Sequence, residues 1–227
     1  MKALFINGSP RKGWATAQML EQARKGAEDA GAQTETVHLY DIRFVGCKSC
    51  FACKLKNAKT NGVCAIRDDL RSVLVKAHEA DIIVMGSPIY FSYPTGVLRS
   101  FMERLFFPIN SYNPKIDEAT GKMKSSLLGK FVPTAMIYTM GCPEQMAIDN
   151  HYPEIFGENA RFLETLFGYT ETLSSNETYQ FNDYSKYDIM EGTEQRRAKH
   201  RDERYPKDLQ AAYELGKRLV AKAKEGF

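Results

Sequence analysis

Four of the five cysteines, Cys47, Cys50, Cys53 and Cys64, fall within eighteen residues. Thiols crowded in this way, in a reducing compartment, point to metal or redox chemistry sooner than to a disulfide framework. The fifth, Cys142, has no nearby histidine in sequence except His151, and a cysteine of that kind usually behaves as a small buried hydrophobe. A second constellation stands at the start of the chain. Gly8-Ser9-Pro10-Arg11-Lys12-Gly13-Trp14-Ala15-Thr16 gathers hydroxyls, a guanidinium, an ammonium and a predicted helix start around one spot. Backbone N–H groups at a helix start, joined by Ser, Thr and Arg donors, suit a phosphate. The Walker pattern is absent, because Trp14 stands where its lysine is needed, and so is Gly-x-Gly-x-x-Gly. Nucleoside triphosphate chemistry is therefore disfavoured.

The elements that must carry these groups follow from periodicity. Lys2 to Asn7 is a short apolar run, and Ala15, Met19, Leu20, Ala23, Ala27 and Ala30 then recur at helical spacing up to Gly31. Thr34 to Leu39 alternates as a second strand, completing a parallel βαβ unit. Asp68-Asp69 opens a helix through Leu70, Val73, Leu74 and Ala77, with both carboxylates near its positive end. Asp81 to Gly86 is a continuous aliphatic run, the mark of a central parallel strand covered on both faces. A helix through Val97, Leu98, Phe101, Met102, Leu105 and Phe106 comes next. After it, Phe131 to Tyr138 is a strand, roughly Glu158 to Phe167 a helix, Thr170 to Leu173 a strand, and Leu209 to Ala223 a closing helix. Asn110 to Gly129 and Asn182 to Arg204 lack a period and are predicted as irregular insertions in one domain spanning residues 1–227. Five strands alternating with helices predict a doubly wound α/β fold, a five-stranded parallel sheet with helices on both faces. Ligands of such sheets bind beyond the carboxyl ends of the strands, so Gly8 to Thr16, Ser87 to Gly96 and Thr139 to Gln145 are the informative loops.

Composition closes off other classes. Hydrophobic residues at 43% and charged residues at 26% fit a folded globular chain. Apolar stretches stop far short of the ~20 residues that cross a bilayer, and the N-terminal run ends too soon for a secretory signal, so no membrane association and a cytoplasmic location are expected. The net charge of +3 comes from 31 basic and 28 acidic side chains scattered along the chain, which gives nucleic-acid binding no surface. The run from Glu194 to Arg204 mixes both signs and reads as a solvated face or loop.

Asn7-Gly8-Ser9-Pro10-Arg11-Lys12-Gly13, with Thr16, resembles the opening of the NADPH-dependent FMN reductase family, whose fold is flavodoxin-like. Gly86-Ser87-Pro88-Ile89-Tyr90-Phe91 resembles that family's isoalloxazine loop. The resemblance covers about residues 1–175. It implies that Ser9, Arg11, Trp14, Ala15 and Thr16 surround an FMN phosphate, and that Pro88, Ile89, Tyr90 and Phe91 border the flavin ring beside Thr139, Met140 and Gly141. Trp14-Ala15 departs from the Asn or Ser common there, leaving Trp14 to offer its backbone N–H or to lie over the site. A flavin needs an apolar slot with a few backbone partners, and Pro88 to Tyr93 offers aromatics to line one. Tyr90, Phe91 and Tyr93 also suit a core or a subunit interface.

The spacing Cys47-x2-Cys50-x2-Cys53-x10-Cys64 resembles the compact motif of iron–sulfur flavoproteins, which implies a [4Fe–4S] cluster on these four ligands. The last gap, carrying Lys54, Lys56 and Lys59, is longer than that motif leads one to expect. Four-thiolate zinc fits less well, since structural zinc sites use paired Cys-x2–4-Cys knuckles, and a loop holding no metal stays open as well. The activity implied is an NAD(P)H-dependent FMN oxidoreductase passing electrons to a small-molecule acceptor, as a homodimer or tetramer. The alternative is an iron–sulfur flavoprotein or a flavodoxin-like carrier serving a protein partner, which the slight positive charge favours less, because such carriers tend to be acidic. The flavin itself accepts and delivers hydride, so no catalytic side chain is nominated, and His38, His78, His151 and His200 are taken as structural or surface residues.

Overall fold

The computed structural model describes residues 1–226 apart from 58, 59, 61, 117, 119, 120 and 122, so Lys59 of the cysteine gap and part of the 110–129 segment lie outside the described residues. The chain runs β1 (Lys2–Asn7), α1 (Ala15–Asp29), β2 (Gln33–His38), α2 (Leu70–Glu79), β3 (Ile82–Tyr90), β4 (Tyr93–Pro94), α3 (Gly96–Ile109), β5 (Asn110–Ile116) and β6 (Met123–Ser126). It continues through β7 (Val132–Thr139), α4 (Glu144–Asp149), α5 (Tyr152–Phe167), β8 (Gly168–Ser175), α6 (Thr193–Glu203) and α7 (Tyr205–Glu225).

Five strands pair in parallel in the order β2-β1-β3-β7-β8, and β4 folds back antiparallel on the end of β3. This is the flavodoxin-like arrangement, whose topological switch falls between β1 and β3. Alternation along the strands divides the core. Phe5, Ile82, Val84, Ala135 and Ile137 face α1 and α7, where Met19, Leu20, Ala23, Leu215 and Leu219 cover them. Leu4, Ile6, Ile83, Met85, Met136 and Tyr138 face α2, α3 and α5, where Leu74, Phe101, Phe156 and Leu163 complete the other layer. On the first side α1 and α7 cross at two glycines. A Cβ on Gly26 would lie 1.9 Å from the Tyr213 carbonyl oxygen, and one on Gly216 would lie 1.9 Å from that of Ala23.

Two segments expected to be irregular contain regular elements. Within 110–129, β5 and β6 form an antiparallel hairpin with a register break between Asn110 and Lys115, an irregularity that blurs the period of two. Within 182–204, α6 buries Thr193, Arg197 and His200. These sit at i, i+4 and i+7, so the helix has an inward face, but the face is polar and hydrophobic periodicity does not register it. Helix α5 also starts earlier than expected, at Tyr152, with Pro153 in its first turn.

Candidate functional site

The loop after β1 is held from beneath. Buried Asn7 accepts from the Ser9 N–H through Oδ1 (2.8 Å), and Ser9 Oγ accepts from the Arg11 N–H (3.1 Å). The Gly8 N–H donates to the Gly86 carbonyl (2.8 Å), and a Cβ on Gly8 would meet Leu98 Cβ at 2.8 Å, so the two loops approach this closely only at glycine. Trp14 is the N-cap of α1, with extended backbone and no side-chain capping bond. An indole has no oxygen to accept with, so the first N–H groups of α1 stay available at the positive end of the helix dipole, as a phosphate site requires.

The loop after β3 joins the same network. Thr95 Oγ1 donates to the Gly8 carbonyl (2.8 Å), and the Thr95 N–H donates to Ser87 Oγ (2.9 Å). The two-residue turn between β3 and β4 places Phe91 at φ 50 and Ser92 at φ 72, left-handed values a tight hairpin turn demands and β-carbons resist. That turn projects Phe91 outward, 97% exposed. From β7, Thr139 Oγ1 shares a buried hydrogen bond with Thr16 Oγ1 (2.7 Å), tying the third loop to the first.

Eleven of the twelve residues nominated for the flavin line one cleft of about 110 Å³: Ser9, Arg11, Trp14, Ala15, Thr16, Pro88, Ile89, Tyr90, Thr139, Met140 and Gly141. Phe91 stands outside it. The cleft is smaller than the ~300–1,000 Å³ that encloses a whole organic ligand. A planar ring entering it keeps part of its surface in solvent, or Arg11 leaves the Gln180 carbonyl to which its Nη1 donates (2.5 Å).

The far wall is Thr178, Tyr179 and Gln180, which sequence reasoning did not nominate. Thr178 donates to the Met140 carbonyl from both N–H (2.9 Å) and Oγ1 (3.1 Å). Arg197 of α6, also not nominated, clamps this wall: Nη2 donates to the Gly141 carbonyl (2.9 Å), and Nη1 to Gln180 Oε1 (2.8 Å) and the Tyr184 hydroxyl (3.2 Å). Arg197 is 7% exposed, and nothing in its mixed-charge surroundings signals burial. Arg197→Met removes charge-assisted bonds of about 1.5–3 kcal/mol, so flavin affinity should fall roughly ten- to hundredfold. Titration of FMN fluorescence against apoprotein measures it, and unchanged affinity would remove Arg197 from the site.

Cys142 follows Gly141 but does not line the cleft; burial pushes its thiol up, with Arg197 opposing. His151 instead is the N-cap residue of α5 and faces Glu154 at 3.4 Å. The structure thus supplies no activated thiol here.

The four crowded cysteines line a second hollow, of about 20 Å³, enclosed by Phe107, Pro108 and Arg104. Ser49 (φ 50) and Phe51 (φ 54) flank Cys50 in left-handed conformations, which bend the loop back on itself. Burial raises the Cys53 thiol, partly offset by Lys54. Arg104 has no exposed side-chain surface and binds both ends of the loop, donating to the Val45 (3.0 Å) and Ile66 (3.1 Å) carbonyls while pairing with Asp68 (2.5 Å). Asp68 and Asp69 accept in turn from the Val45 (3.3 Å) and Arg43 (2.9 Å) N–H groups. The acidic pair at the start of α2 therefore anchors the cysteine loop, and Asp69 makes no side-chain cap bond. Among the described residues no three His, Cys, Asp or Glu side chains are set to hold one metal ion. The donor set, four thiols on one hollow beside a buried cation, fits a multi-iron cluster in chemistry, while the hollow has room for little more than a water and must open to take one.

Residues 1–151 match the family described as NADPH-dependent FMN reductase. An iron–sulfur flavoprotein of Archaeoglobus fulgidus is 39% identical over 104 residues, 46% of this chain and 48% of that protein. Another from the same organism is 30% identical over 148 residues, 65% of this chain and 59% of that protein. The chain thus spans about half the length of the curated relatives it matches. Among solved structures, an NAD(P)H:quinone oxidoreductase from Methanothermobacter marburgensis superimposes with TM-score 0.62 over 96% of this chain and 98% of that one, at 14% identity, a likeness of fold. Among the described residues no helix is long and apolar enough to cross a membrane.

Proposed function

Because the chain belongs to the NADPH-dependent FMN reductase family, we propose that it holds FMN in the cleft between the loops after β1, β3 and β7 and works as an NAD(P)H oxidoreductase with a small-molecule acceptor. The observation that carries this is the convergence of those loops on one cleft at the sheet's switch point, locked by the Thr16–Thr139 hydrogen bond. When bound, FMN would supply the chemistry of hydride acceptance and electron donation. The chain's part is position. The open first turn of α1, with Ser9 and Arg11, would fix the phosphate end. Pro88, Ile89 and Tyr90 would border one side of the ring and Met140, Gly141 and Tyr179 the other. Arg197 holds the Gly141 backbone where a ring edge would meet it. No side chain need move a proton for hydride transfer.

The cysteine hollow favours a second reading, an iron–sulfur flavoprotein in which Cys47, Cys50, Cys53 and Cys64 hold a [4Fe–4S] cluster that relays electrons. The relatives named iron–sulfur flavoproteins support it. One measurement separates the two: the visible spectrum of anaerobically purified protein, before and after NADPH, with iron and sulfide analysis. Flavin bands that bleach with NADPH support the reductase. A broad added absorbance near about 400 nm with iron and sulfide supports the cluster. Protein that takes up no FMN sinks both.

A further inference from the structure

Arg104 lies on the buried face of α3, with Phe101 at i−3 and Pro108 at i+4 as its neighbours along that face. A cation in such a place needs partners to offset its desolvation. Nη1 and Nη2 have them, in the Val45 and Ile66 carbonyls and the Asp68 carboxylate. Nε has none: the atom is buried and without a hydrogen-bond partner. A buried donor in this state costs free energy, and folded proteins seldom leave one without an acceptor.

The side chain that carries this unused donor lines the cysteine hollow. Lys48 is the other cation of the lining and is exposed, while among the described residues no carboxylate lines the hollow. Lys54, beside Cys53, spends its ammonium on the Phe107 and Asn110 carbonyls. Burial works against the charge on Arg104, but hydrogen bonding to Asp68 and the Cys64 side chain outweighs it. The guanidinium therefore stays charged at the wall of the hollow. Asp68, the acid of the pair, is not part of that wall.

One-electron reduction adds a negative charge to an iron–sulfur cluster. Donors to its sulfurs and nearby cations raise its potential, and nearby anions lower it. We propose that Arg104 sets the reduction potential of the [4Fe–4S] cluster held by Cys47, Cys50, Cys53 and Cys64, its charge and its Nε–H both favouring the reduced state. The proposal rests on the iron–sulfur reading given above. Arg104 itself moves no proton and carries no electron. Arg104 and Asp68 fasten the same loop, yet they contribute charges of opposite sign, and this separates tuning from mere support.

Anaerobic redox titration of FMN-loaded protein tests it, with dithionite as reductant, mediator dyes, and the paramagnetic signal of the reduced cluster as readout. Iron and sulfide analysis accompanies each protein. Arg104→Met should shift the balance of reduced and oxidised cluster about tenfold or more toward oxidised, a fall of roughly 59 mV or more for one electron. Arg104→Lys keeps the charge and loses the Nε–H, so its potential should fall by less. Asp68→Asn removes an anion, and its potential should rise. A merely structural role would move Arg104→Met and Asp68→Asn the same way, since each loosens the same anchor. If Arg104→Met holds no cluster, Arg104→Lys against Asp68→Asn decides the signs. Shifts of one sign, or an arginine variant with the wild-type potential, would overturn the proposal. Wild-type protein without iron and sulfide would overturn it through the iron–sulfur reading, a failure distinct from a cluster whose potential does not move.

Discussion

Arg104→Met is expected to destabilise the protein by about 3–5 kcal/mol, the cost of removing one partner from a buried ion pair. The guanidinium has no exposed surface, while Asp68 keeps 17% of its side chain exposed, so the lower part of that range is the better expectation. For a chain of this length the loss lowers the melting temperature by roughly 6–20 °C. Methionine fills the space but leaves the Val45 and Ile66 carbonyls and the Asp68 carboxylate without their donor. Acid should narrow the difference. Burial pushes the Asp68 carboxyl up, but hydrogen bonds from Arg104 and the backbone outweigh it and leave the folded value below the ordinary 3.8. A lowered carboxyl contributes stability above its unfolded value and loses it as pH falls through the folded one. In Arg104→Met the same carboxylate is buried without its partner, so protonation relieves the variant. Urea melts at pH 7 and pH 4 check both statements. A loss under about 1 kcal/mol at pH 7, or a gap that widens in acid, would show that Arg104 is not what holds the cysteine loop to α3.

The second large effect lies at the crossing of α1 and α7. Gly26→Ala and Gly216→Ala should each cost about 3 kcal/mol or more, because each new Cβ would stand 1.9 Å from a backbone carbonyl oxygen that cannot rotate away. The gain in helix propensity, about 1 kcal/mol per substitution, is too small to offset that overlap. Both substitutions force the same separation, so the double variant should lose clearly less than the sum of the singles. Denaturant unfolding of the four proteins gives the cycle, and a neutral single or an additive double would contradict the close crossing.

Much of this architecture is legible in residue order, and the rest is hidden for physical reasons. The aliphatic run at Ile82 to Met85 is apolar on both faces because both helix layers cover it, so its central place in the sheet can be read directly. The loops after β1, β3 and β7 can be located because the fold obliges a ligand to meet them. Phe91 could not be placed so simply. The β3–β4 turn has only two residues, and its geometry, unseen in composition, turns that ring outward. The wall of Thr178 to Gln180 has no motif, and α6 turns Arg197 and His200 inward from a segment whose charge mimics a solvated surface. Buried polar residues that answer one another leave no hydrophobic period to detect.

That wall also sets an order of events during biosynthesis. A chain leaving the ribosome presents Gly8 to Thr16 before β3 and β7, and β3 can pair onto β1 and β7 onto β3 before residues 178–197 have been made. Thr178 to Gln180 and the arginine that fastens them to Gly141 emerge only after β7. A nascent sheet therefore offers a cradle open on one side, and any ligand of the cleft is gripped only once α6 has docked. A truncated or stalled product would carry the recognisable loops and still fail to retain what they collect.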